Sequence, residues 1–277
     1  MITDFDGTLL RSDRTVSDRD RRALEALAAR QILRIIATGR SMHSFETVGV
    51  THLPVDYVVF STGAGVVEWP TGRLVRKVDL PGGEVRHICE VLRRASLDLM
   101  VLRPIPQTHH FAYLAGDRPC EDFQRRLALY GPYAEKLPQN SCNFGEATQV
   151  LVIVPAEKGG RTLAAVREAL PEFSIIQTTS PLDGKSTWIE IFPNGVSKSA
   201  TADWLAQQLA VSPADSLSIG NDYNDLDLLD WAGTACVVAN APAALRDRYP
   251  AVASNDEDGV AEAIQNWCAQ RLDGRMA

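Results

Sequence analysis

Apolar residues along this 277-residue chain come in short blocks that alternate with helical stripes. The first block lies in MITDFDGTLL, where Ile2 and Phe5 flank a β-branched Thr3 and the chain turns at Gly7. It reads as a strand running into a turn. Ser17 follows as an N-cap with Asp20 three residues on, and Ala23, Leu24, Leu27 and Ala28 share one helical face. The run from Ile32 to Ala37 predicts a second buried strand, ending in Thr38-Gly39-Arg40. Val55 to Phe60 predicts a third, ending in the small residues Ser61 to Ala64. Strand, helix, strand, helix, strand with fully apolar strands is the pattern of a parallel, doubly wound sheet.

Pro81-Gly82-Gly83 breaks that pattern. Four candidate strands follow (DLMVLR, HHFAYLA, TQVLVIV, TWIEIF), alternating more with polar residues, together with helical stretches EVRHICEVLRRA, CEDFQRRLALY and KGGRTLAAVREAL. They fit an antiparallel sheet covered on one face. The first pattern then resumes. A helix opens at Lys198 with Ala202, Leu205 and Leu209 on its apolar face, and a short strand, Ser216 to Ile219, runs into the acidic GNDYNDLDLL. ACVV, AVAS and a closing helix, GVAEAIQNWCAQRL, complete the sheet. The expected architecture is an α/β core in two parts, 1–82 and 193–277, around an inserted α+β domain, 83–192, with the Pro/Gly junctions as hinges or as simple loops.

Bulk properties narrow the function. A composition 45% hydrophobic and 23% charged is that of an ordinary globular protein. A net charge of −7 argues against a general nucleic-acid binder, which would need a basic face. No apolar run approaches the ~18 residues of a membrane span, so neither nucleic acid nor membrane is an expected partner. Five scattered cysteines (Cys89, Cys120, Cys142, Cys236, Cys268) without a CxxC pair fit reduced thiols and a cytoplasmic location.

In a doubly wound sheet, ligands bind beyond the carboxyl ends of the strands. Asp4 and Asp6 fall there, two apart and therefore on one face. Carboxylates held that close need a cation or a proton between them, unless they are only capping backbone amides of a turn. Thr38, the loop Ser61 to Ala64 and a second polar cluster, Asn221, Asp222, Asn224 and Asp225, fall at the same edge. With Lys198, residues from separate segments converge on one place.

DFDGT, ATGR, GVSK and GNDYND, in that order, resemble the haloacid dehalogenase superfamily of phosphotransferases. The place of the insertion resembles the large-cap, Cof-type subgroup of sugar-phosphate and related phosphatases, with a Rossmann-like core and an α+β cap. The resemblance implies a phosphomonoester hydrolase acting on a small phosphorylated metabolite, as a monomer or weak homodimer. It implies Asp4 as nucleophile, forming an aspartyl-phosphate, and Asp6 as general acid and then base. It also implies Mg2+, held by Asp4, the Asp6 carbonyl and the GNDYND loop. The Thr38 hydroxyl, the Gly39 amide, Lys198 and Asn224 would hold the phosphoryl group, with Thr8, Arg40 and Asp225 in support.

Three features depart from the family pattern. Asn221 stands where an aspartate usually binds the metal, so either its amide ligates or Asp222 takes over. Thr62 stands where an asparagine commonly precedes Gly-Ala. Only three residues precede Asp4, so the first strand is expected to be short, at a cost in edge stability. In the insertion, Arg86, Arg103, His109, His110 and Arg125 are candidates to read the substrate, although each alone reads first as a solvated side chain. Phe111 and Tyr113 read as core. A receiver-type signalling domain shares an acceptor aspartate, a Thr and a Lys, but Asp6 and the insertion argue against it. A phosphosugar mutase would keep all four motifs, and a phospho-ligand-binding regulator with a weakened metal site would fit Asn221.

Overall fold

The computed structural model describes residues 1–49, 52–116, 119–137 and 143–273. Two compact units divide the chain: residues 1–40, 45–76 and those from 197 onward form one, and residues 41–44 with 77–196 form the other. The sequence placed these limits at 82/83 and 192/193. Pro81 is the N-cap of a helix that begins at Gly82, so the glycine pair forms its first turn and is no hinge loop. Among the described residues, Cys89, Cys120, Cys236 and Cys268 are free thiols. Cys142 lies outside the described residues.

The first unit contains β1 (Ile2–Thr3), α1 (Asp18–Ala29), β2 (Ile35–Ala37), α2 (Met42–Glu46, shared with the second unit), β3 (Tyr57–Phe60), β4 (Gly65–Glu68) and β5 (Arg73–Lys77). In the second follow α3 (Gly82–Arg94), β6 (Leu99–Leu102), β7 (Phe111–Leu114), α4 (Glu121–Leu129), β8 (Ala134–Lys136), β9 (Gln149–Val154), α5 (Ala156–Ala169), β10 (Ser174–Thr179) and β11 (Thr187–Phe192). The first unit resumes with α6 (Lys198–Gln208), β12 (Leu217–Gly220), α7 (Leu226–Trp231), β13 (Thr234–Val238), α8 (Ala243–Arg246), β14 (Ala251–Val252) and α9 (Gly259–Asp273).

The sheet of the first unit runs β14-β13-β12-β1-β2-β3-β4-β5. It is parallel from β14 to β3, as the apolar runs require, and turns antiparallel at β4. The β4–β5 hairpin is absent from the sequence reading. β5 is largely exposed, with a burial pattern no different from a loop. The second and third strands are also shorter than the apolar runs, and the residues just before them are tied to each other by side chains. Arg34 forks onto Asp56 at 2.6 and 3.0 Å, and Asp56 in turn accepts from the Arg34 amide at 2.7 Å. Short β1 is not at an edge: it pairs with β12 on one side and β2 on the other.

In the second unit the sheet runs β10-β11-β9-β6-β7-β8, antiparallel except between β7 and β8. Both faces are buried in part. Val101, Val150, Val152, Ile189 and Ile191 face one cluster with α3 and α5, and Met100, Phe111, Leu151, Ile153 and Trp188 face another with Phe123 of α4.

The predicted N-cap at Ser17 forms: its hydroxyl oxygen accepts from Asp20 N at 3.0 Å and its proton goes to Asp20 Oδ2 at 2.9 Å. The other Asp20 oxygen accepts from Ala261 N at the start of α9, at 2.7 Å. Asp20 is fully buried, and burial pushes its carboxyl above the ordinary range. Asp20→Ala would orphan a buried amide and the Ser17 hydroxyl, at a cost of about 2–3 kcal/mol. Urea denaturation checks this; a loss under ~0.5 kcal/mol would contradict it.

Candidate active site

The phosphoryl and metal site residues read from the sequence lie in the first unit, whose parallel strands bring them to one end, whereas the candidate substrate readers Arg86, Arg103, His109, His110 and Arg125 lie in the second. Asp4 continues β1: its amide donates to the Ile219 carbonyl of β12 at 2.8 Å, so its position is set by the sheet. Lys198 opens α6, which Ser197 caps by accepting from Ala200 N at 3.1 Å. The Lys198 Nζ donates to Asp4 Oδ1 and to Asp225 Oδ1, both at 2.6 Å. Thr8 Oγ1 donates to the other Asp4 oxygen at 3.2 Å. Lys198 and Asp225 are completely buried and Asp4 is 5% exposed.

One ammonium thus faces two carboxylates away from water, and one negative charge is left over. Burial pushes the Asp4 carboxyl from 3.8 up to about 7, with Asp225 adding to the rise and Lys198 opposing it. Burial works to lower the Lys198 ammonium, but Asp225 and Asp4 outweigh it and hold it above the ordinary lysine range. A proton or a cation at Asp4 would remove the surplus.

The other residues surround this triad. Thr38, fully buried at the end of β2, accepts from Arg40 N at 3.1 Å and keeps its hydroxyl proton for another acceptor. A Cβ built on Gly39 would lie 3.6 Å from Thr62 Oγ1 and 3.9 Å from Asn224 Nδ2, so those side chains flank the Gly39 backbone. Arg40 grips Asp6: Nε and Nη2 reach its two oxygens at 2.7–2.9 Å.

The GNDYND loop separates its two candidate metal ligands. Asp222 caps the short turn at Tyr223–Asp225, its side chain accepting from the Asp225 amide. Asp225 Oδ2 accepts from the Asn221 and Asp222 amides at 2.8 and 3.1 Å. The Asn221 side chain instead lies against the first loop: Gly7 has φ +68°, and a Cβ there would meet Asn221 Nδ2 at 2.6 Å. Asn221 therefore stands over the turn that carries Asp4 and Asp6, while Asp222 is turned into its own helix start.

One support was missed. Asn240, just past β13, donates to the Gly7 carbonyl at 2.7 Å and accepts from Asn255 N at 3.1 Å. Its only sequence signal is its place after the strand ACVV. The loop after β3 holds Ser61 and Thr62 at φ 47° and 56°, then Gly63 at φ 107°. A side chain at Gly63 would overlap the Ser197 carbonyl, and Thr201 Oγ1 donates to the Gly63 carbonyl at 2.8 Å. This loop fixes where α6 begins, and so where Lys198 stands. Asparagine tolerates left-handed φ better than a β-branched residue does, which makes Thr62 a strained choice there.

The sequence profile of the haloacid dehalogenase-like hydrolases matches residues 1–264. The chain belongs to that family. YxeH of Bacillus subtilis is 26% identical over 272 residues, covering 94% of this chain and 95% of its own. The HMP-PP phosphatase of Yersinia enterocolitica is 24% identical, covering 95% and 93%. Among solved structures, the haloacid dehalogenase subclass IIB sugar phosphatase BT4131 has a TM-score of 0.73 at 17% identity, covering 96% and 97%. SMU.1108c of Streptococcus mutans has a TM-score of 0.79 at 20%, covering 97% and 98%. These two share the fold of this family member. No described helix is long and apolar enough to cross a membrane.

The raised Asp4 value has a consequence for stability. Between about 4 and 7 the folded, metal-free protein holds a proton on Asp4 that the unfolded chain releases, so this group's contribution falls as pH rises through that window. Asn at this position does not titrate. Metal-free Asp4→Asn is therefore expected to gain melting temperature relative to the parent as pH rises from 4 to 8, read by calorimetry in chelator. A difference that does not change with pH would contradict the surplus charge.

Proposed function

We propose that this chain is a Mg2+-dependent phosphomonoester hydrolase that acts on a small phosphorylated metabolite through an aspartyl-phosphate on Asp4. The observation that carries the reading is the buried Asp4 carboxylate, held between Lys198 and Thr8 with one uncompensated negative charge. In the first half-reaction an Asp4 oxygen attacks phosphorus, the bond to the ester oxygen breaks, and Asp6 protonates the leaving alkoxide. In the second, Asp6 takes a proton from water, which attacks phosphorus and releases Asp4 and inorganic phosphate. The Thr38 hydroxyl, the Gly39 amide and Asn224 bind phosphoryl oxygens, and Lys198 offsets their charge.

The residues fit Mg2+. The donors are hard oxygens, and a dication at Asp4 supplies the charge that the triad lacks. Asp4, the Asp6 carbonyl and the Asn221 amide oxygen would hold it, in preference to Asp222, whose carboxylate is engaged at the start of its turn. Bound Mg2+ offsets repulsion between the attacking carboxylate and the phosphoryl oxygens. The second unit selects the substrate, and the sugar phosphatase among the structural relatives makes a sugar phosphate the first class to try.

Asp4→Asn should lower turnover of a phosphate ester on the order of a thousandfold, ~4 kcal/mol of barrier, because no other group takes the phosphoryl. Near-normal turnover would rule out the covalent route. The metal assignment is tested apart from turnover, by Mg2+ titration calorimetry. Asn221→Asp adds a charged ligand and should tighten Mg2+ about tenfold, ~1.4 kcal/mol. Asp222→Asn should leave the affinity alone and cost ~1 kcal/mol of stability through the lost cap. A tenfold loss of affinity in Asp222→Asn would return the ligand to Asp222.

A further inference from the structure

Outside the catalytic centre, the second unit gathers a second group of titratable side chains. Leu102 pairs with Phe111, so Arg103 and His110 face each other as the next pair, with Arg103 N donating to the His110 carbonyl at 2.8 Å. The loop between them is pinned at several points. Gln107 N donates to the Pro104 carbonyl at 2.8 Å, Ile105 N to Asp79 Oδ1 at 3.1 Å, and Thr148 Oγ1 to the Arg103 carbonyl at 2.8 Å. The Arg103 guanidinium lies over the Phe144 ring at 4.6 Å and reaches Glu135 at 3.6 Å. His109 stacks on His43 at 4.2 Å and neighbours His110 at 4.4 Å, and Tyr133 stands edge-on to all three rings at 5.0–5.5 Å. A polar cavity of about 220 Å³ opens between Arg103, His110, Tyr133 and Glu135.

We propose that this cavity is a binding site for an oxyanion, a carboxylate or a phosphate, held by Arg103, His110 and Tyr133 with His109 behind them. Those groups are donors or become cations on protonation, and the one acid lining the cavity, Glu135, already faces Arg103. A metal fits poorly. Imidazole lone pairs lie in the ring plane, so His43 and His109, stacked within 21° of parallel, cannot aim at one point. No group of three or more His, Cys, Asp or Glu side chains placed to hold a metal ion occurs among the described residues. His109 Nδ1 is buried and has no hydrogen-bond partner. Burial, with His43 and His110 beside it, holds this imidazole below the ordinary histidine range. An anion in the cavity favours the protonated ring, so binding takes up a proton and strengthens as pH falls.

The anion is either a remote group of the substrate or a free effector. The test uses the full chain and reads the ring ¹³C–¹H signals of its five histidines by NMR, with inorganic phosphate and malonate as probes at pH 6 and pH 8. The His109 and His110 signals should shift and saturate, with affinity at least about fivefold higher at pH 6. Arg103→Ala and His110→Gln, at exposed positions, should each weaken binding about tenfold. Unmoved signals, an affinity independent of pH, or unaltered binding in both variants would overturn the site. Steady-state kinetics then separate the sources. A KM raised only for esters with a second anionic group identifies a substrate contact, and a lost response of 4-nitrophenyl phosphate hydrolysis to malonate identifies an effector. The phosphatase reading fails independently, if no ester is hydrolysed while the NMR shifts persist.

Discussion

The first unit is organised around one ammonium group with no access to water. Lys198 has two carboxylate partners and no solvent, and removing the ammonium from such a cluster would leave two buried carboxylates unpaired, at a cost of several kcal/mol. Its three members come from the end of β1, the start of α6 and the loop after β12, so the pair of contacts at 2.6 Å fixes three segments relative to one another. Much else near the site serves that placement. The Gly63 carbonyl anchors Thr201 one turn into α6, and Asp225 gathers the amides of its own loop with the oxygen that Lys198 does not use. Stability is sacrificed here for a charge imbalance at Asp4, which is the kind of imbalance that phosphoryl transfer uses.

The shortness of β1 is tolerable for the same reason of position. A two-residue strand at an edge would fray, whereas one hydrogen-bonded on both sides, with Ile2 and Phe5 buried, is held by its neighbours. The loop that carries Asp4 and Asp6 is thereby attached to the middle of the sheet, and Asn240 fastens its turn from the far side. The loop after β3 shows the converse: three successive residues at positive φ, two of them not glycine, persist because the surrounding packing over-determines them.

The second unit is built on a different principle. Its sheet buries apolar residues on both faces, and a polar cavity lies at one hairpin loop and the segment near Tyr133. There, rings and guanidinium are held by stacking and by backbone hydrogen bonds of the loop itself, a rigid arrangement suited to recognition.

Much of this was legible in the order of residues. Apolar runs ending in Asp4, Thr38 and Gly220 announce parallel strands, because only a sheet covered on both faces supports such runs. The four motifs, with the rule that ligands lie beyond the strand ends, gathered Asp4, Asp6, Thr38, Lys198 and Asp225 before any coordinate was known. Tertiary structure alone decided which partner each side chain takes. That Arg40 closes on Asp6, that Asn221 lies over Gly7 and that His109 stacks on His43 depend on contacts between residues far apart in the chain. Periodicity cannot encode them, since a residue's local pattern sets the face it occupies and not what stands opposite. The β4–β5 hairpin escaped for a related reason: exposed strands carry no apolar signature, and only the completed sheet gives them a place.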